Sequence, residues 1–378
     1  MMTFNDIAAG YYNVLTAGLG LSGAAVQLVQ PTTVLSDNTS LWAFLDQLPP
    51  VSLYRSPGES GSFFGTYKEI LASLQIPAVN RFLEGVGQKI ADEFIRFLPT
   101  RAGRPPPANM YPAIFRNWAL LHHPAVAIQG TTALAGMLLE PLGAASVALL
   151  GYRDQRPPDW DESYDELVIS LMTSPSREFS VTAATIVSDV ADTWTNGEIG
   201  HPAGLWGSSS PVSESFAMSE FQLHVSIGHV LLFRPIPRPW YSAAALDIAY
   251  SNPETPPWAS SSPLDWNKAF GTNGLLRNVA SGLIVADSFQ AIVESAGPYD
   301  QDDQQIILSN QASGLWPIYM TAKAETTCSF SRAGALEIRM NTEPGTPVLI
   351  GIVATSIQRY LGHDTMGASC PAREADQG

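Results

Sequence analysis

The sequence is short of charge. Asp, Glu, Lys and Arg make up 15% of its 378 residues, against about a quarter in ordinary globular chains. Apolar residues make up 45%, enough for a sizeable core, so extended intrinsic disorder is excluded. Positive charge is scarcest: 20 basic against 35 acidic residues give a net charge of −15. Lysine occurs at Lys68, Lys89, Lys268 and Lys323 alone, and the other basic residues are Arg. Binding a polyanion requires clustered Lys and Arg to displace counterions. No run of more than two basic residues exists, so nucleic acid is excluded as the main partner. An anionic membrane surface is disfavoured on average for the same reason.

Cysteine is almost missing. Cys328 and Cys370 are too few for a disulfide scaffold, and one bridge or two separate thiols both fit. No zinc-ligand spacing is present. The familiar catalytic signatures are missing as well: there is no G-x-S-x-G elbow, S-x-x-K, H-E-x-x-H or phosphate-binding Walker loop. The N-terminus has no basic region before its apolar stretch, and Asp6 precedes that stretch, so a Sec signal peptide is not expected. A cytoplasmic or non-classically exported protein is the corresponding expectation. Residues 124–152 contain Glu140 as their sole charged group, a length that could span a bilayer. Pro141, Gln129 and several Gly, Ser and Thr interrupt them. They read as two buried helices meeting at Glu140 and Pro141, with a membrane-inserting hairpin as the alternative.

The pattern that is present divides the chain. Residues 1–59 are ambiguous. Over 60–175 the spacing is helical. Phe63, Tyr67, Ile70, Leu71 and Leu74 share one face, and Pro77 stands where a new helix starts. Val79, Phe82, Leu83, Val86, Ile90, Phe94 and Leu98 form one stripe opposite Arg81, Glu84, Gln88, Asp92 and Arg96, which predicts an amphipathic helix. Further helices are predicted over 114–121 and 164–172. After residue 176 the period becomes two. Phe221, Leu223, Val225, Ile227, His229, Leu231 and Phe233 fall on one face of a predicted strand, and Leu336, Ile338 and Met340 alternate with Glu337 and Arg339. The expected fold is α+β: an N-terminal helical domain (60–175), then a mainly antiparallel, sandwich-like β-rich domain (176–362) and a flexible tail (363–378).

Each candidate motif has a plain structural alternative. Gly18, Gly20 and Gly23 match G-x-G-x-x-G, with Asp37 downstream, but no βαβ units follow, so a glycine-rich turn is preferred to a dinucleotide site. The acids from Asp159 to Glu166 surround a helix start, where the dipole favours them. Asp300, Asp302 and Asp303 read as a solvated turn, not an EF-hand. His201, His229 and His363 are weak candidates for a metal assembled from distant loops, and His229 reads first as a core histidine.

The aromatic residues carry the strongest signal. Six of nine Trp follow residue 190, most beside Pro, Gly or Ser. Such rings either close a core or contact a sugar, a lipid or a subunit. Trp240, Tyr241, Trp258, Trp266 and Trp316 are therefore the candidate binding residues. The preferred expectation is a non-enzymatic binding or self-assembling protein that uses these aromatic loops. It needs no cofactor, and its candidate partners are a second copy, a glycan or a lipid. A membrane-active, toxin-like protein and a hydrolase with a site at the domain boundary are the alternatives.

Overall fold

The computed structural model describes residues 4–21, 26–49, 54–55, 61–98, 105–152, 157–182, 211–254, 256–297, 299–311, 315 and 324–363. It is α+β. The chain opens with α1 (Phe4–Gly18), β1 (Val26–Val34), α2 (Asn38–Leu45) and the short β2 (Tyr54–Arg55). A helical run follows: α3 (Phe63–Ala72), α4 (Pro77–Val86), α5 (Gln88–Phe97), α6 (Tyr111–His122), α7 (Ala127–Met137), α8 (Pro141–Leu149) and α9 (Tyr164–Met172). Strands then dominate: β3 (Arg177–Thr182), α10 (Pro211–Met218), β4 (Phe221–Phe233), α11 (Ala243–Ser251), α12 (Trp266–Phe270), β5 (Asn278–Ser295), α13 (Gln301–Asn310), β6 (Ala324–Phe330), β7 (Leu336–Thr342), β8 (Val348–Ser356) and α14 (Ile357–Tyr360).

Local signals set most boundaries. Pro77 opens α4 and Pro141 opens α8, each at the first turn where a missing N–H costs nothing. Ser163 and Glu166 close a reciprocal capping box on α9, and Asp37 with Ser40 does the same on α2. Asp300 caps α13 by accepting from the Asp303 amide at 2.8 Å. Asp165, Glu166, Asp300, Asp302, Asp303 and Asp37 therefore stand at helix starts, whereas the buried Asp159 accepts from the Tyr152 hydroxyl at 2.7 Å and Asp161 accepts from the Ile236 amide at 2.6 Å, so these two make tertiary contacts instead. The stripe from Val79 to Leu98 is two helices, because Gly87 adopts φ +81° between α4 and α5.

All eight strands belong to one sheet, in the order β2-β1-β8-β5-β4-β3, with β7 also on β5 and β6 on β7. Every pairing is antiparallel except β1 with β2. Helices supply the layers that face the strands. The eighteen-residue β5 pairs with β4 from Leu283 to Ser295, with β8 over its first half and with β7 over the end of its second. β7 and β8 thus run in line along one side of β5, and residues 343–347 loop out between them.

At the level of that loop the side-chain alternation inverts. Before it, Leu223, Val225 and Ile227 of β4 and Phe289, Ala291 and Val293 of β5 pack with α1 and α10. Beyond it, the even-numbered Val230, Ile284 and Ala286 take over that face, while Phe233, Leu283 and Val285 turn to the opposite core with α3, α9 and α11. A one-residue shift of phase sends every side chain to the other face. Both strands make the shift together, so their pairing survives on either side: Ile227 opposes Phe289 and His229 opposes Asp287. The predicted single face of 221–233 is corrected here. Leu231 and Phe233 lie on the other side from Phe221, because the strand changes phase at Gly228.

Ser288, opposite Gly228, adopts φ +54°. A Cβ on Gly228 would lie 2.8 Å from the Ser288 Cβ. The adjoining Asp287 is 2% exposed. Its carboxylate accepts from the Thr346 amide at 3.0 Å, tying the 343–347 loop to β5, and from the Ser288 hydroxyl at 3.1 Å. The Phe289 amide donates to the Thr342 hydroxyl at 2.9 Å. On the other side, Ser174 O lies 3.0 Å from His229 Nδ1, and Pro175 O accepts from the Val230 amide.

Two buried clusters therefore occupy opposite sides of one sheet, and a third is built from α4, α5, α6 and α7 with Val147 of α8. The helices of 60–175 and the strands of 176–362 share the second. In the third, α7 comes close to its neighbours because residue 130 is Gly: a Cβ there would stand 2.3 Å from Phe115.

Gly228→Ala is expected to cost about 1–3 kcal/mol, because it forces a methyl against Ser288. Ser288→Gly in the same chain should recover part of that loss by removing the opposing Cβ. Ser288→Val alone should cost about 2 kcal/mol or more, since a β-branched residue disfavours positive φ. Urea unfolding of Gly228→Ala, Ser288→Gly and the double variant reads the coupling between 228 and 288.

Candidate functional site

The candidate aromatic residues separate by burial. Trp240 is fully buried, its Nε1 donating to the Asp159 carbonyl at 2.8 Å. Phe64, Phe63, Trp160 and Tyr67 surround it with ring centroids 5.1, 5.7, 5.7 and 6.0 Å away, at edge-on angles. Trp258 is buried too, and donates to the Ala249 carbonyl. These two indoles are core, which corrects their candidacy as ligand contacts: each has its N–H satisfied internally and no face left for a partner. Tyr241 packs on Phe63 and Tyr67, and burial drives its phenol far above the usual tyrosine range. Tyr67 is shifted the same way for the same reason, while its oxygen accepts from the Ser242 amide. Trp266 is half-buried and donates to the Tyr250 carbonyl at 2.6 Å. Trp316 lies outside the described residues.

Of the three histidine candidates, the two that are described make separate contacts. His229 faces the Ser174 carbonyl and His363 pairs with Asp247. His201 lies outside the described residues. Among the described residues no group of three or more His, Cys, Asp or Glu is placed to hold a metal. Cys328 is half-buried, and burial pushes its thiol up to about 11, so it is a neutral thiol at ordinary pH. Cys370 lies outside the described residues.

Two surface features remain. The first is on the sheet face away from α1. Ser180 of β3 stands directly opposite His224 of β4, with its Oγ 3.0 Å from His224 Nδ1. His224 Nε2 lies 2.9 Å from Glu178 Oε1. Hydroxyl, imidazole and carboxylate thus stand in the order of a nucleophile, a base and the group that orients the base. Period-two alternation puts residues 178 and 180 on one face, and antiparallel register brings His224 to them. The constellation is open to water, with the His224 and Glu178 side chains 40% and 68% exposed. Thr182 and Gln222, one row along, line an adjoining open cleft of about 590 Å³ with Glu220, Glu294 and Glu337.

The second is on the helices. Residues 124–139 carry no charged side chain. The buried side of α7 is Ala127, Gly130, Leu134 and Met137. Its outer side leaves Ile128 78% exposed, with Leu139 at 86% just beyond the helix and Leu121 at 82% in the last turn of α6. Exposed apolar residues are ordinary when scattered; these three lie on α6, on α7 and in the turn after α7, and Ile128 and Leu139 stand on a stretch without charge.

No single helix among the described residues is long and apolar enough to cross a membrane. The bent pair Pro124–Met137 and Pro141–Tyr152 meets the criterion by length and composition, with 117° between its halves. Comparison with protein-family models, with curated proteins and with solved structures finds no match.

Proposed function

We propose that this is a non-enzymatic, self-assembling protein whose subunit contacts are made by the helical layer. The observation that supports this reading is the exposure of Ile128 and Leu139, with the smaller Ala125 and Ala135, on the uncharged segment 124–139. The chain carries a net charge of −15, and like-charged copies repel unless their contact surface is free of that charge. The expected aromatic loops do not carry the reading, since Trp240 and Trp258 are core. Sedimentation velocity over a wide concentration range tests it. A sedimentation coefficient that climbs with concentration beyond that of one chain is expected. A single monomeric boundary at every concentration contradicts it.

A second reading, a serine hydrolase, is favoured by Ser180, His224 and Glu178. In that role His224 takes the Ser180 proton as Oγ attacks an acyl carbon, then gives that proton to the alcohol or amine that leaves as its bond to the acyl group breaks; at a fluorophosphonate the phosphorus–fluorine bond breaks and fluoride leaves. It ranks second because both flanking groups are solvated, where hydrogen-bonded charge is worth little. A fluorophosphonate probe decides it. Covalent labelling at Ser180, lost in Ser180→Ala and His224→Ala, would establish the reading, and an unlabelled native protein removes it.

A further inference from the structure

We infer that the cleft where α3, α4 and α8 meet binds a small amphipathic anion: a free carboxylate carried on an aliphatic chain. This inference is independent of the self-assembly reading. The cleft has a volume of about 520 Å³, within the range of about 300–1,000 Å³ that holds small molecules. Helical spacing builds its walls. Lys68, Leu71 and Ala72 share one face of α3 at steps of three and four, Ser146 and Leu149 share one face of α8, and Asn80 comes from the first turn of α4. The buried Leu71, Leu74 and Ile76 form an aliphatic floor. Ala72 and Ser146 are small and leave the space above it unfilled.

The cleft is held open in advance. The connection between α3 and α4 is pinned by the segment after α11: the Gln75 amide donates to the Pro257 carbonyl at 2.7 Å, and the Ala259 amide donates to the Ser73 carbonyl at 2.9 Å. A preformed site loses less on binding than one that must first be ordered.

Charge selects the ligand. Lys68 is the one charged residue among those lining the cleft. Among the described residues it forms no ion pair. Its Nζ lies 5.0 Å from the Phe64 ring centroid, which places the ammonium over an aromatic face. The Ser146 hydroxyl is committed to the Leu142 carbonyl at 2.9 Å. The Asn80 side chain has no hydrogen-bond partner among the described residues and is exposed at the rim, as Lys68 is. One cation and one amide donor thus stand over an apolar floor. The start of α4, where Ile76 offers no capping side chain, adds partial positive charge beside Asn80. The cleft at β4 is instead lined by Glu220, Glu294 and Glu337. The net charge of −15 opposes an anion at long range, but physiological salt screens that field beyond about 8 Å, whereas Lys68 acts at contact. An uncharged amphiphile would gain nothing from Lys68, and a cationic one would be repelled.

Calorimetric titration of the full chain with decanoate and, separately, with decanol tests the proposal, both kept below their aggregation limits. Decanoate is expected to fill one saturable site and to bind more tightly than decanol. Lys68→Met keeps an aliphatic stem and removes the charge, so it should weaken decanoate about fivefold and leave decanol unchanged. Added salt should weaken decanoate alone. Ala72→Trp, at an exposed position, should abolish binding of both while circular dichroism stays native. A native chain without saturable decanoate binding overturns the site and leaves the self-assembly reading standing. Decanol bound as tightly as decanoate, or Lys68→Met without effect on decanoate, overturns the assignment to an anion. Binding that survives in Ala72→Trp overturns the cleft as its place. Flotation of the chain on phosphatidylserine vesicles, lost in Lys68→Met, assigns the charge to a lipid surface and overturns the free ligand.

Discussion

The buried Asp287 carboxylate holds the point where one sheet becomes two working surfaces. It sits where β5 leaves β8 for β7, and the Thr346 amide binds it to the loop that separates those strands. A buried carboxylate without partners is costly, and its hydrogen bonds are worth more than neutral ones. Gly228 and Ser288 make the change of phase sterically feasible across the adjacent pair. Because β4 and β5 shift together, their register is kept while the faces are exchanged. The α1 and α10 core and the α3, α9 and α11 core can then lie on opposite sides of the same strands.

That arrangement places the helical layer. The second core takes rings from α3 and from the segment around Trp240, and Trp160 and Trp240 lock the start of α9 to the chain that follows β4. The α4 to α7 helices add their own small core beyond it. The exposed Ile128 of α7 is thereby carried on an element packed into that core. The open sheet face carries Ser180, His224 and Glu178, a geometry that alternation and antiparallel pairing produce without enclosing it.

Much of the architecture was legible from spacing. The helical first half, the strand-rich second half, the break at Pro141 and the starts at Pro77 and Ser163 all follow from local chemistry. The phase change at Gly228 was not legible, because Leu231 and Phe233 continue the same apolar alternation and only tertiary pairing reveals that they face elsewhere. Gly87 was hidden in the same way inside an unbroken stripe. Trp240 and Trp258 misled as binding candidates because Pro and Gly neighbours mark turns, and a turn can fold its ring inward as readily as outward. Ser180, His224 and Glu178 were missed because 44 residues separate the hydroxyl from the ring, and only strand register joins them. The α7 surface was visible as a segment without charge, but that silence reads equally as a buried core until its outer residues are seen exposed.

The most direct measurement is amide hydrogen exchange, read peptide by peptide, on the wild-type chain and Asp287→Ala. If the carboxylate couples the two faces, protection falls together in α1 and β7 on one side and in α3 and α11 on the other. A loss confined to one side, or no loss at all, would contradict the account.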